Sequence, residues 1–199
     1  MRRLPVILAA GLLAAACSSS DPTAASPTPP NFMQAASTAP PLANATDSFW
    51  AVTTRSRRLR IYYHPSEPGE DSSVMMRFSV PAGALFRRPD GTMFGANDSI
   101  LIHVTVVDPA NLVVAFSPAG LQFSATTPAH ITFYLGETNE DIDDDGHVSA
   151  ADSTLLSSLH IWKQESASLP WVQLPSVVDL TNAQVDADIF SFTNYALAY

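Results

Sequence analysis

Asp141, Asp143 and Asp145, followed by Gly146, His147, Ser149 and Asp152, are the residues whose types and spacing make chemical sense together. In the run Asp-Ile-Asp-Asp-Asp-Gly-His-Val-Ser-Ala-Ala-Asp, oxygen-bearing side chains fall at positions 1, 3, 5, 9 and 12 of a twelve-residue loop, with glycine at position 6. Calcium takes about 6–8 oxygen ligands, and alternate residues of a tight loop can turn theirs toward one centre. On that reading Asp141, Asp143 and Asp145 supply carboxylates and His147 supplies its backbone carbonyl rather than its ring. Ser149 acts through water, and Asp152 closes the sphere. Gly146 permits the sharp bend. Without a cation, Asp141, Asp143, Asp144 and Asp145 repel one another, and a divalent ion relieves that repulsion. The bland alternative is a solvated acidic loop in which Ser149 to Asp152 form only a helix-capping box.

The spacing resembles an EF-hand-type calcium loop. Asp152 is shorter than the glutamate usual at the last position, so bidentate closure demands a tighter approach. With its tail to Leu156, the run also resembles one repeat of a dockerin, in which an aspartate at position 12 leads into a short helix. A dockerin carries two such repeats and this chain carries one. The residues before the loop, His130 to Glu137, read as a strand rather than an incoming helix. The expectation is therefore a calcium loop and short helix inserted at 137–159 between two strands, with no cohesin partner implied.

The elements that must hold this loop are β-strands. From about Ser48 to Tyr199, runs of Val, Ile, Phe, Tyr and Thr recur between turn clusters such as Pro89-Asp-Gly91 and Asp108-Pro-Ala. Strands are expected at 49–54, 59–63, 74–80, 99–107, 112–116, 130–135 and 159–163. Along Ile100-Leu-Ile-His-Val-Thr-Val106, Ile100, Ile102, Val104 and Val106 share one face. The single helix expected is brief, Ala150 to Leu159. The fold class predicted is all-β, an antiparallel β-sandwich over 48–199 with a short inserted loop-helix. Trp162 and Trp171 are expected as core anchors, and Phe190 and Phe192 as core-facing residues of the last strand.

Phe78-Ser-Val-Pro-Ala-Gly-Ala-Leu85, Phe116-Ser-Pro-Ala-Gly-Leu-Gln-Phe123, Pro128-Ala-His-Ile-Thr-Phe133 and Phe190-Ser-Phe-Thr-Asn-Tyr-Ala196 occur in that order. Together, over about 74–199, they resemble the β-sandwich domain shared by ankyrins, netrin receptors and zonula occludens proteins, in the form carried by bacterial exported lipoproteins. Pro-Ala-Gly has its own physical reading: proline ends a strand and glycine takes a positive φ. Some members of that family cleave themselves at a His-Phe-Ser step. Here Phe190-Ser191 follows Ile189, so the hydroxyl lacks the adjacent base that would activate it.

Arg2 and Arg3 precede an apolar stretch, Leu4 to Ala16, which ends in small residues before Cys17. This resembles a bacterial lipoprotein signal peptide at 1–16, with Cys17 as the lipidation site. Ser18 then resembles an outer-membrane sorting residue. Residues 17–47, rich in Ser, Thr, Ala and Pro, read as a disordered tether. The expected location is the cell envelope, lipid-anchored at the outer membrane, with secretion as the alternative. Cys17 is the only cysteine, so no disulfide forms within the chain.

The formal net charge is −9, and Lys163 is the only Lys or Arg after Arg88. Such a chain repels nucleic acid. Arg55, Arg57, Arg58 and Arg60 read as a solvated strand edge. The five histidines show no metal-ligand spacing, and neither a Gly-x-Ser-x-Gly elbow nor a phosphate-cradling glycine loop is present. The expectation is a non-enzymatic, calcium-binding β-sandwich module of the envelope. Its partners are a membrane through Cys17 and an unidentified protein or polysaccharide. The alternative is an exported hydrolase or self-processing domain, with a Ser-His-Asp set assembled in space.

Overall fold

A computed structural model describes residues 29–65, 67 and 69–199. The signal peptide expected at 1–16, Cys17 and the first part of the tether lie outside the described residues. Six strands form one sheet, in the order β1 (Thr46–Val52), β5 (Ser99–Asp108), β6 (Val113–Ser117), β13 (Asn194–Ala198), β9 (His160–Gln164) and β10 (Val172–Gln173). Five form the other: β11 (Ser176–Asp179), β12 (Gln184–Ile189), β8 (Ala129–Tyr134), β3 (Val74–Val80) and β2 (Arg57–Tyr62). β4 (Leu85–Arg87) and β7 (Gln122–Phe123) make a short separate ribbon. The one helix among the described residues is α1 (Ala150–Ser157). The strand pairings are antiparallel, and the fold is the all-β sandwich that the sequence predicts.

Alternation places the core. On β5, Ile102, Val104 and Val106 are buried while His103 and Val107 face solvent. The five-stranded sheet answers with Leu59, Ile61, Met76, Phe78, Val80, Ile131 and Phe133. The sheets meet through aromatic rings: Phe78 lies 4.8 Å from Phe116 and 5.7 Å from Phe192, centroid to centroid. Such tilted and edge-on pairs add to the stabilisation from buried area. Both Pro-Ala-Gly turns behave as their chemistry demands. Each follows directly on a strand end, after Val80 and Ser117, and Gly83 and Gly120 take φ of +80° and +82°.

Three expectations are corrected. Trp162 and Trp171 are only partly buried and lie outside the core cluster. Trp162 sits on β9, one residue out of phase with buried Ile161, and its Nε1 donates to the Ala198 carbonyl. Trp171 packs edge-on against Phe32, 5.2 Å away. Phe190 does not share the core with Phe192: it is 48% exposed and Phe192 is 2% exposed. The chain leaves β12 at Ile189 and joins the opposite sheet at Asn194, so the two-residue period is broken between them.

The third concerns the tether. Its latter part packs on the sandwich. Met33 is 1% exposed, its amide donates to the Leu197 carbonyl at 2.8 Å, and the Tyr199 amide donates to the Asn31 carbonyl. Leu42 bridges to Tyr63 on the β2 side, and β1 begins at Thr46, two residues before the expected domain start. Composition hid this because Phe32, Met33 and Leu42 are the few bulky apolar residues in a Pro- and Ala-rich run. Their contribution comes from docking onto a finished surface, not from any periodicity of their own.

Candidate metal loop

The acidic loop lies where the sequence puts it, between β8 and β9, with α1 at its far end. Gly146 takes φ of +87° and Asp144 takes +56°, and these two left-handed residues curl the chain. The curl aims backbone amides at the carboxylates. Asp141 Oδ1 accepts from the Asp145 amide at 3.1 Å and Oδ2 from the Gly146 amide at 2.8 Å. Asp143 Oδ1 also accepts from the Asp145 amide, and Asp145 Oδ1 accepts from the His147 amide at 2.9 Å. These bonds orient the Asp141, Asp143 and Asp145 side chains. One oxygen from each of Asp141, Asp143 and Asp145 lies within 4.8 Å of the others, a group that could hold a metal ion.

The remaining expected ligands have other work. Ser149 N-caps α1: its Oγ accepts from the Ala151 amide, and Asp152 reaches back to the Ser149 amide at 2.7 Å. This is a capping box, with aspartate where glutamate is usual. Asp152 is 2% exposed. Its other oxygen accepts from the Ile142 and Asp143 amides at 2.6 and 3.2 Å. The carboxylate at position 12 therefore ties the start of the loop to the start of the helix, and stands outside the three-oxygen group. His147 keeps its side chain in solvent.

The electrostatics follow from this geometry. Partial desolvation, then the charges of Asp145, Asp152 and Asp141, raise the pKa of Asp143 above the usual carboxylate range. Asp152 goes the other way. Burial alone would raise it, but donors from Ser149, Asp143 and Ile142 outweigh that and hold it below the usual value.

Sequence reasoning missed the supports of the loop. Asn139 Nδ2 donates to the Asp141 carbonyl at 2.7 Å, and its amide donates to the Gln34 carbonyl. The Ala36 amide donates to the Glu137 carbonyl at 2.9 Å, and the Tyr199 hydroxyl donates to the Ile142 carbonyl at 2.8 Å. Asn139, two residues before Asp141, was a readable turn residue. Tyr199 and Gln34 are brought in by tertiary docking and left no local signal.

Elsewhere, Ser79, His130 and Asp188 stand side by side across β3, β8 and β12. His130 Nδ1 lies 2.6 Å from Asp188 Oδ1, as a base and its orienting carboxylate would. No hydrogen bond joins Ser79 to His130. The strands carrying Ser79 and His130 are flanked on both sides, where backbone amides are used in the ladder rather than offered to an oxyanion. Among the described residues, no helix is long and apolar enough to cross a membrane. Compared with protein families, with curated proteins and with solved structures, the chain has no match in any of the three.

Proposed function

We propose that this chain is a calcium-binding β-sandwich module that serves the cell envelope as a non-enzymatic interaction or structural element, anchored by a lipid on Cys17. The observation that carries the reading is the grouping of the Asp141, Asp143 and Asp145 oxygens within 4.8 Å of one another, beside a glycine bend. Two oxygens on opposite sides of one calcium ion are about 4.6–5.2 Å apart, twice the usual bond of about 2.3–2.6 Å. The three oxygens thus need little movement to share one ion. The donor set is all oxygen and offers no nitrogen or sulfur side chain inside the group, which favours a hard cation over zinc or copper.

Partial desolvation, and after it the charges of neighbouring aspartates, raise the Asp143 pKa, and a bound ion would offset that repulsion. It would also stiffen the connection between β8 and α1, which Asp152 already bridges. The role is then structural: calcium locks the insert against the end of the sandwich. The leader-like residues 2–17 support export and anchoring by their resemblance to a lipoprotein signal, and Cys17→Ser should abolish incorporation of labelled palmitate.

The test of the metal reading is calorimetric titration of the full chain with calcium chloride, wild type against Asp141→Ala/Asp145→Ala. One saturable site in the wild type, absent from the double variant, supports it. A wild type that takes up no calcium, with melting indifferent to chelator, rejects it.

A further inference from the structure

The outer face of the five-stranded sheet carries an open groove of about 730 Å³, which shares no lining residue with the acidic loop. Its volume falls within the range of small-ligand sites, about 300–1,000 Å³. Cross-strand register lays one polar row over its floor: Arg58, Ser79, His130 and Asp188 on four successive strands. A second row sets Arg77, Thr132 and Asp186 beside it. Arg77 Nη2 donates to Thr132 Oγ1 at 3.0 Å and lies 3.8 Å from Asp186, whose carboxylate also accepts from Thr132. These bonds hold the second row in fixed rotamers.

Two features of this surface choose among ligands. The first is charge. Two guanidinium groups face two carboxylates, with Asp186 beside Arg77 and Asp188 beside His130. An anionic ligand meets the aspartates and a cationic one meets the arginines, so neither is selected. The second is the mixture of polar row and apolar rim. Val177 and Phe190 line the same groove and are 67% and 48% exposed. A neutral sugar matches both. Its hydroxyls each donate and accept, as the interleaved Arg, Ser, His and Asp groups require, and its C–H face suits an aromatic ring. A peptide strand would seek unpaired backbone groups, and along the floor of the groove those of β3, β8 and β12 are paired on both sides.

We infer that this groove binds a neutral oligosaccharide, whose hydroxyls bond the Arg58–Ser79–His130–Asp188 row while one sugar face lies on Phe190. This site stands apart from the calcium reading. It gives the sandwich a partner of defined chemistry, which the acidic loop by itself does not.

The test is heteronuclear NMR titration of the full chain with uncharged hexaoses of glucose (α- and β-linked), mannose and xylose, in the presence of a calcium chelator. Saturable shifts confined to the groove residues of β2, β3, β8, β11 and β12 and to Phe190 are expected with at least one of them. Phe190→Ala and Asp188→Asn should each weaken that binding about tenfold or more, with melting temperature unchanged. Silence on this face with all the hexaoses would overturn the inference. So would binding by either variant as tight as that of the wild type, or a stronger response to polygalacturonate or to a peptide.

Discussion

Met33→Ala tests the docking of the segment that composition assigns to the tether. Met33 is 1% exposed and sits beside Leu197 of β13, with its own amide bonded to that residue. Truncating a buried methionine to alanine costs about 2–5 kcal/mol, from lost transfer energy and the cavity left behind. For a chain of 150–250 residues each kcal/mol lowers Tm by about 2–4 °C, so a fall of about 4–20 °C is expected in a thermal melt followed by circular dichroism. The same segment reaches the loop, because the Asn139 amide bonds Gln34 and the Ala36 amide bonds Glu137. Hydrogen exchange at Ala36 and Asn139 should therefore accelerate in the variant, while amides in the centre of β8 slow or quicken only with global stability. A variant that melts within a degree of wild type, with unchanged exchange at Asn139, would refute the docking and return residues 29–45 to the tether.

Other substitutions isolate single contacts. Gly146→Ala meets no atom within 4 Å of the added Cβ, so its cost is the strain of φ +87°, about 1–2 kcal/mol, and calcium affinity should fall with it. Tyr199→Phe removes the hydroxyl bond to Ile142 at 2.8 Å and should cost about 0.5–1.5 kcal/mol in chemical denaturation. A stability equal to wild type would deny Tyr199 a role in holding the loop. Burial, then the charge of Glu137, pushes the Tyr63 pKa up to about 12. An unfolded tyrosine titrates near pH 10, so the unfolded chain releases this proton first. The stabilising contribution is complete below pH 10 and is lost as pH rises toward 12. Tyr63→Phe should flatten that alkaline decline in melting temperature, and a decline unchanged by the substitution would contradict the assignment.

What could be read from the sequence was whatever repeats locally. Alternation of Ile102, Val104 and Val106 against His103 located β5 and its buried face. The Asp141–Asp152 spacing located the loop, its glycine bend and its helix, because a twelve-residue loop contains its own geometry. The tryptophans were misplaced because size alone does not argue for burial: Trp162 is out of phase with Ile161, and Trp171 precedes β10 and lies on no strand. β11 and β12 passed unnoticed because Asp179, Asp186 and Asp188 interrupt their apolar pattern. Two of those aspartates face the groove, so the features that hid β12 are the ones that give that surface its chemistry. The row Ser79–His130–Asp188 exists only through register between strands distant in sequence, and no spacing along the chain encodes it.

A crystal structure of the full chain grown in calcium puts the central claim to its most direct test. The account predicts one ion held by Asp141, Asp143 and Asp145 at about 2.3–2.6 Å, with Asp152 still capping α1. Density showing only water between those carboxylates, at saturating calcium, would contradict it.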